Sequence, residues 1–296
     1  MKNIFKSFSF IFAFLVCMSN NTQAQVVKSI EEMTDRIDSL DLSRQELTEI
    51  PKEVFQFKNL KYLNLVENQI TTLPKEIIEL KNLTYLNLSN NKLKTSFKEI
   101  LELKSLTYLD LSGNELTTLP KEIGNLINLT TLFLSENELT TLPKEIIELR
   151  NLTDFYLYSN KLTFLPKEIG ELKNLTYLDL RFNQLISLPK EIKNLKKIIN
   201  LGLTENKLAS FPKEILSLKT LTHLSLGENQ LTILPKEIGE FKNLTELSLS
   251  TNQLKTLPKE ITKLKNLKTL YLGANPISAT EKEKIKKMLP NCRIIF

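Results

Sequence analysis

The stretch Leu60-Lys-Tyr-Leu-Asn-Leu-Val-Glu-Asn-Gln-Ile-Thr-Thr-Leu-Pro-Lys-Glu-Ile-Ile-Glu-Leu-Lys-Asn82 decides the fold, because it returns with small changes along most of the chain. Its ninth residue is an asparagine that recurs every 23 residues without insertion or deletion, at Asn68, Asn91, Asn114, Asn137, Asn160, Asn183, Asn206, Asn229, Asn252 and Asn275. Gln45, the amide homologue, stands one step earlier, which makes about eleven repeats from Ile37 to Ile277. Each unit can bury its apolar face only against its neighbours, so the period predicts one elongated array.

The first half of each repeat alternates between apolar and polar residues. Leu63 and Leu65 point to one side, and Tyr62 and Asn64 point to the other. A period of two is typical of a half-buried strand. Asn68 then turns the chain inward, and its side chain can satisfy backbone groups that a tight buried turn would leave unpaired. Stacked repeats therefore predict a ladder of asparagines.

The second half of each repeat has a different period. Ile70, Leu73, Ile77 and Leu80 recur at intervals of three or four residues, which predicts a short helical or 3₁₀ turn. Pro74 suits the start of that turn, where a missing N–H does no harm. Strands on one side and thinner turns on the other predict a curved stack with a concave parallel sheet.

The repeated pattern Leu-x-x-Leu-x-Leu-x-x-Asn-x-Leu-x-x-Leu-Pro-x-x-Ile-x-x-Leu resembles the leucine-rich-repeat family. In particular it resembles the bacterial 23-residue class with Leu-Pro-Lys-Glu-Ile segments, which is abundant among exported proteins of pathogenic spirochaetes. The resemblance covers the chain from about Ile37 to its C-terminus. It implies an α/β fold, a horseshoe-shaped solenoid with 3₁₀ or helical turns on the convex side. It also implies partner binding on the concave sheet, often in export or host contact.

The N-terminus has the pattern of a secretory signal peptide. Lys2 and Lys6 precede the apolar run Phe8–Met18, and Thr22-Gln23-Ala24 offers a cleavage site after Ala24. The run is shorter than the roughly 20 apolar residues that span a bilayer. We therefore predict a signal peptide over residues 1–24 and no transmembrane span.

A lipoprotein signal is the alternative interpretation of the same segment. Cys17 would then become a lipidated N-terminus, but Val16 is larger than the small residue expected before such a cysteine, so this alternative ranks second. Cleavage after Ala24 leaves Cys292 alone, and one cysteine forms neither an intramolecular disulfide nor a zinc site.

The remaining segments are predicted to cover the two ends of the array, because an open solenoid end exposes core residues. We assign residues 25–36 to an N-terminal cap, 37–277 to the leucine-rich-repeat domain and 278–296 to a C-terminal cap. The C-terminal cap is predicted to contain an amphipathic helix over Ala279–Leu289 and a last strand after Pro290.

The charge pattern argues against nucleic acid as a partner. The net charge of +6 falls to +4 when Lys2 and Lys6 are removed with the leader. Most other lysines alternate with glutamates, which is typical of a solvated face and not of a phosphate-binding stripe.

Two groups of outward-pointing strand residues are candidates for partner binding. The first converges in the fifth to seventh repeats and consists of Phe133, Tyr156, Tyr158, Tyr177, Arg181 and Phe182. Tyrosine and arginine dominate interface hot spots, and adjacent strands lie about 4.8 Å apart, so these side chains can form one patch. The alternative is chance enrichment, with the rings packing on each other. The secondary candidate is the row Tyr62, Tyr85 and Tyr108, which a self-stacked ladder explains at least as well.

No set of residues has the composition of a catalytic site. His223 is the single histidine, flanked by Asn200 and Glu246 on the predicted sheet, and such a residue is more often incidental than a general base. Asp110 and Asp179 share a column but stand three strands apart, about 14 Å, which is too far for a carboxylate pair acting on one bond. We predict no catalytic residue, no metal site and no cofactor.

The sequence therefore predicts an exported protein-binding module, a monomer whose ligand is a protein, with host proteins among the candidates. Two other functions stay open, an envelope scaffolding protein and a glycan- or lipid-binding surface protein. The expected location is secreted, periplasmic or at the cell surface.

Overall fold

The computed structural model describes residues 36–94 and 98–296. The predicted signal peptide at residues 1–24 lies outside the described residues, as does the predicted N-terminal cap except for Arg36. Both assignments stay predictions. Ile37–Phe296 is a compact unit of its own.

Twelve short strands form one parallel sheet in chain order, and each strand pairs with the next. The strands are β1 (Ser39–Asp41), β2 (Tyr62–Asn64), β3 (Tyr85–Asn87), β4 (Tyr108–Asp110), β5 (Thr131–Phe133), β6 (Asp154–Tyr156), β7 (Tyr177–Asp179), β8 (Asn200–Gly202), β9 (His223–Ser225), β10 (Glu246–Ser248), β11 (Thr269–Tyr271) and β12 (Arg293–Ile295). The middle residue of each repeat strand is buried, and Leu63 in β2 and Phe155 in β6 are fully so. Its two neighbours point outward, as the alternation predicts.

The return segment of each repeat contains a five-residue 3₁₀ helix. These helices span Lys52–Gln56, Lys75–Glu79, Lys98–Glu102, Lys121–Asn125, Lys144–Glu148, Lys167–Glu171, Lys190–Asn194, Lys213–Ser217, Lys236–Glu240 and Lys259–Lys263. In the second repeat the carbonyl of Pro74 accepts the Ile77 N–H at 3.1 Å, which starts the turn. Sheet on one side and 3₁₀ turns on the other give the predicted curved solenoid.

The predicted asparagine ladder is present between the described repeats. Asn68 Oδ1 accepts the N–H groups of Gln45 at 3.1 Å and Leu47 at 3.0 Å in the preceding repeat. Its Nδ2 donates to the carbonyls of Leu42 and Leu65, both at 2.9 Å. The pattern returns through to Asn275. Each asparagine therefore ties two repeats together through backbone groups at a buried or part-buried turn.

The residue before each ladder asparagine has a left-handed backbone, which the sequence pattern does not reveal. Glu67 has φ 55°, and Gly113 has φ 62° at the same place in its repeat. Side chains other than glycine rarely adopt this region, so the ladder holds the turn against its intrinsic preference. A methyl group on Gly113 would lie 2.3 Å from Asn90 Oδ1, so this position has a second reason to be glycine.

A second ladder runs along the outer side, where each 3₁₀ helix leads into the next strand. Asn82 Nδ2 donates to the Lys58 carbonyl at 2.9 Å, and Asn151 Nδ2 donates to the Ile127 carbonyl at the same distance. Equivalent bonds come from Asn128, Asn174, Asn243 and Asn266. We refer to these residues as the outer ladder. They are exposed, so each bond contributes less than one in the buried ladder.

The C-terminal segment contains helix α1 (Ala279–Met288), which ends one residue before the predicted boundary. The Ser278 side chain caps it by accepting the Glu281 N–H at 3.2 Å, and Ile285 is its buried residue. Strand β12 then pairs with β11 and extends the sheet by one strand. Within the ranges that the structure describes, no helix combines the length and apolar character needed to cross a bilayer.

Candidate functional site

The aromatic candidates form one continuous row of six rings on the concave face. Tyr62, Tyr85 and Tyr108 stack at centroid distances of 4.2 and 4.1 Å, and the row continues through Phe133, Tyr156 and Tyr177 at 5.4, 4.1 and 4.8 Å. The sequence predicts the first three and the last three as separate groups, and the structure brings them together. We call these six residues the aromatic row.

The row is continuous because it changes position within the repeat. Tyr108 begins its strand and pairs in register with Thr131, whose short side chain cannot extend the stack. Phe133 ends the same strand as Thr131, and its ring lies diagonally opposite that of Tyr108. Diagonal neighbours on a sheet are within reach of aromatic side chains. The contact between Tyr108 and Phe133 depends on this cross-strand geometry, and a comparison of equivalent positions in successive repeats does not show it.

Three of the five ring pairs in the row stack face to face, and the other two are tilted. All six residues are half-buried, and Phe133 stacks on Tyr156 with only 6° between the ring planes. Stacked or tilted pairs contribute about 0.5–1.5 kcal/mol each beyond the area that they bury. Mutual packing therefore explains part of the row, and what it offers a partner is a rigid strip of ring edges and hydroxyls.

Arg181 is held beside the row by a buried carboxylate. Its Nε donates to Asp179 Oδ1 at 2.8 Å, and its Nη2 donates to Asp179 Oδ2 at 2.6 Å. Asp179 is only 2% exposed, so it is unavailable to solvent and serves this arginine. These hydrogen bonds raise the pKa of Arg181 despite its partial burial. The guanidinium is thus a fixed positive group at the middle of the array.

Two further aromatic residues border Arg181. Its Cζ lies 5.5 Å from the centroid of the Tyr158 ring, within range of a cation–π contact. The Phe182 ring meets Tyr158 edge-on at 5.0 Å and is 37% exposed. We call Tyr158, Asp179, Arg181 and Phe182 the Arg181 cluster. It adjoins the aromatic row at Tyr177, whose strand β7 also contains Asp179.

Gly202 is a site residue that the sequence interpretation missed. A methyl group there would lie 2.9 Å from Asp179 Oδ1 and 3.0 Å from Arg181 Cγ. The glycine in β8 therefore leaves the space into which the ion pair of the neighbouring strand fits. The sequence signal that could have revealed Gly202 is a glycine at an outward strand position, 23 residues after the aspartate of the segment Asp179-Leu-Arg181.

Raised pKa values keep the hydroxyls of Tyr108 and Tyr177 protonated at neutral pH. Burial, joined by the charge of Asp110, raises the pKa of Tyr108. Burial and then the charge of Asp179 raise the pKa of Tyr177. Burial also raises the pKa of Asp110, although hydrogen bonds from Ser112 oppose the shift. Uncharged hydroxyls next to carboxylates suit hydrogen bonding to a partner.

The family assignment rests on both sequence and structure. A profile described as leucine-rich repeat region matches residues 89–181 and 166–293, and one described as leucine rich repeat matches residues 35–93. Together they span most of the chain. The chain belongs to the leucine-rich-repeat family. A search of curated proteins found no match.

Solved leucine-rich-repeat structures share the fold. A leucine-rich-repeat protein of Leptospira interrogans is 43% identical, with a TM-score of 0.71 over 94% of this chain and 82% of its own. An internalin of Listeria monocytogenes has the same TM-score at 22% identity, covering 95% of this chain and 86% of its own. The ectodomain of the Arabidopsis receptor kinase GASSHO1/SCHENGEN3 is 34% identical, with a TM-score of 0.66 over 79% of this chain and 32% of its own. The predicted resemblance and fold class are confirmed.

These findings indicate a protein-interaction module, and no catalytic family is indicated. His223 is exposed, and its Nδ1 lies 2.8 Å from Thr222 Oγ1. No group of three or more histidine, cysteine or acidic residues in the described ranges is placed to hold a metal ion.

Proposed function

We propose that this protein is exported and that it binds a protein partner on its concave sheet. The centre of the interface is Phe133, Tyr156, Tyr158, Tyr177, Arg181 and Phe182, and Tyr62, Tyr85 and Tyr108 extend it toward the N-terminal repeats. One observation carries the proposal. Asp179 holds Arg181 in place beside the half-buried ring of Tyr158 at mid-array.

Preorganisation is the physical reason why this geometry supports binding. An exposed arginine normally loses side-chain freedom when a partner orders it, whereas the two bonds to Asp179 have already restricted Arg181. The remaining guanidinium donors are available to a partner carbonyl or carboxylate. Tyr158 and Phe182 supply apolar contact next to it. This combination of arginine and aromatic anchors is typical of interface hot spots.

The relatives support a protein ligand. The Arabidopsis receptor ectodomain was solved in complex with CASPARIAN STRIP INTEGRITY FACTOR 2, so a 34% identical solenoid holds a protein partner. Three of the five ring pairs in the aromatic row are stacked face to face, which covers those faces against a sugar. A protein that contacts ring edges and hydroxyls suits the row better, and protein binding therefore ranks above glycan binding.

Export is the second part of the proposal and rests on the leader at residues 1–24. Protease treatment of intact cells, followed by mass spectrometry of the released peptides, tests it. Release of solenoid peptides from unbroken cells supports a surface location with external partners. If the solenoid is protected from protease until the outer envelope is opened, a periplasmic location is supported. The envelope scaffolding function would then be favoured. Peptides found only after complete lysis would contradict export.

Site-specific photocrosslinking tests the interface directly. A photoreactive phenylalanine analogue at Phe182 retains a ring at an exposed position inside the Arg181 cluster. The matched control places the same analogue at Ile233, which is 70% exposed and lies outside the cluster. We expect the analogue at position 182 to form a discrete adduct with a partner protein, in the compartment that the protease experiment identifies. The analogue at position 233 should form no such adduct.

Variants then test the same contact with the captured partner. Tyr158→Ala and Arg181→Ala should each weaken binding by at least about tenfold, as expected for hot-spot residues. Tyr271→Ala is the control, because Tyr271 is a half-buried tyrosine of β11 outside the aromatic row. Equal crosslinking from both positions, or equal affinity for all three variants, would contradict this interface.

A further inference from the structure

We propose a second binding site, for a linear sulfated polysaccharide, in a groove along the side of the solenoid where the strands begin. The residues that give the groove its chemistry are Lys196, Lys197, Lys268, Thr222, Thr245 and Asn243. We call it the lysine groove. It is distinct from the concave site and does not depend on the function proposed above.

Two rows of residues build the groove. Thr222, Thr245 and Lys268 each come directly before the first residue of β9, β10 and β11. Lys196 and Asn243 lie in the turns that follow the 3₁₀ helices. The groove therefore crosses several repeats along one edge of the sheet, while the aromatic row faces the concave side.

A cation occupies the same turn position in nearly every repeat of this edge. The series is Lys58, Lys81, Lys104, Arg150, Lys173, Lys196, Lys219, Lys242 and Lys265, with Ile127 as the exception. Where a glutamate follows on the next 3₁₀ helix, it can neutralise the cation. Lys58 pairs with Glu79 in this way, and Lys219 Nζ pairs with Glu240 at 2.5 Å.

The neutralising carboxylate is missing at the groove. Ser217 stands where Glu240 stands in the next repeat, so Lys196 Nζ donates to the Ser217 carbonyl at 3.3 Å. Lys197 replaces an asparagine of the outer ladder, and its Nζ donates to Asn174 Oδ1 at 2.8 Å. These acceptors are neutral and leave the positive charge uncompensated.

Lys268 adds a third uncompensated cation to the groove. Among the described side chains, none of the ion pairs involves Lys196, Lys197 or Lys268. Lys268 replaces the threonine that Thr222 and Thr245 represent in the two preceding repeats. The groove thus brings three lysines without an ion pair to one edge of the sheet, in a protein whose lysines mostly alternate with glutamates along the sequence.

The lining indicates which polyanion fits. Threonine hydroxyls and asparagine amides line the floor between the lysines, and Asn243 Nδ2 donates to the Lys219 carbonyl at 2.9 Å, which leaves its oxygen as an acceptor. Sugar hydroxyls need such neutral partners, and sulfates need the lysines. No carboxylate lines the groove within the part of the chain that the structure describes.

Two other polyanions fit the lining less well. Sites for single-stranded nucleic acid use aromatic platforms, and no aromatic side chain is among the described lining residues. Membrane-binding surfaces combine basic residues with several apolar ones, whereas Ile199 is the one large apolar residue of the lining. The turn before β8 and Lys268 before β11 are three strand spacings apart, about 14 Å. A chain of several sulfated sugars can span that distance.

The test uses the full chain and a heparin oligosaccharide of defined length as the probe. The variant Lys197→Asn with Lys268→Thr introduces residues that other repeats have at these two positions, so the fold tolerates both. We expect binding at least about tenfold weaker, and a dependence of affinity on salt that corresponds to about two fewer ionic contacts. The control Lys75→Asn with Lys121→Thr removes the same charge from the convex 3₁₀ helices and should change affinity less than twofold.

Several results would overturn the site. Equal weakening by both double variants would mean that the total charge drives binding and not the groove. Failure of wild-type protein to bind heparin at physiological salt would also reject it. Equal or tighter binding of oligothymidylate or of phosphatidylserine vesicles, lost in the groove variant, would assign the groove to nucleic acid or membrane. Tyr158→Ala should leave heparin binding unchanged, so this outcome is independent of the concave interface.

Discussion

Gly202→Ala tests whether the Arg181 cluster depends on the empty space in β8. The new methyl group would lie 2.9 Å from Asp179 Oδ1, which accepts hydrogen bonds from both Nε and the backbone N–H of Arg181. Loss of a hydrogen bond to a charged group costs about 1.5–3 kcal/mol. Replacing glycine by alanine also stabilises the protein by about 0.4–1 kcal/mol, because it lowers the conformational entropy of the unfolded chain. We expect a net destabilisation of about 1–2 kcal/mol.

Gly273→Ala is the matched control, with the opposite expected sign. Gly273 is another half-buried glycine, two residues after the end of β11, and the nearest atoms to its added methyl group lie at 3.7 Å. This is ordinary van der Waals contact, so only the gain through the unfolded state remains, about 0.4–1 kcal/mol. Urea unfolding followed by far-ultraviolet circular dichroism measures both variants on the full chain.

A local measurement distinguishes loss of the ion pair from general damage. The Nε–H of Arg181, one of five arginines in the sequence, should exchange slowly with solvent in the wild type and faster in Gly202→Ala. Partner affinity should fall as well, because the guanidinium is no longer held. The reasoning is refuted if both glycine variants shift stability in the same direction and Arg181 exchange is unchanged.

Three further predictions concern the scaffold and its pH response. Asn160→Ala should cost about 2–5 kcal/mol, because it leaves buried backbone groups of two repeats unpaired, whereas Asn151→Ala in the exposed outer ladder should cost under about 1 kcal/mol in the same urea assay. Gly113→Ala should cost about 1–2 kcal/mol, because its φ of 62° disfavours alanine; an unchanged midpoint would contradict this. Burial raises the pKa of Asp110 in the folded protein, so the free energy of unfolding should rise as the pH falls through that pKa toward 3.8. Asp110→Asn should abolish this rise, which urea unfolding at pH 7 and at about pH 5 measures.

Much of the fold is predictable because the same residue types recur at the same positions in successive repeats. The buried leucines and the ladder asparagines occupy fixed positions in the repeat. Leucine side chains fill the core, and asparagine side chains hydrogen-bond the backbone, so their residue types indicate their roles. The left-handed residue before each asparagine is not predictable in the same way. Glutamate, serine, threonine and phenylalanine all occupy it, since the hydrogen bonds around the turn impose the conformation. Side-chain identity therefore contains no signal for it.

The candidate site is predictable only in its membership. The sequence places Arg181 and the aromatic residues on one face at mid-array, because strand alternation determines which side chains point outward. It does not show that Asp179 is buried against Arg181, that Gly202 makes room for the pair, or that Tyr108 meets Phe133 across the sheet diagonal. The second and third of these relations join different repeats at different positions. They depend on distances between strands that a single repeat does not encode.

The two proposed sites follow from one property of a solenoid, which is that each repeat position forms a column on one face. Along the sequence, lysines and glutamates alternate and their charges average out. In the structure the columns separate, and the strand positions of β1–β11 that face outward include Asp41, Asp110, Asp154 and Glu246 but no lysine. The lysines concentrate on the edge and on the convex side. A partner therefore meets an acidic aromatic surface with one fixed arginine on the concave face and a cationic groove at the edge. Opposite charges on two faces allow one solenoid to hold two chemically different ligands at once, and substitutions in single columns can separate the two activities without disturbing the core that both share.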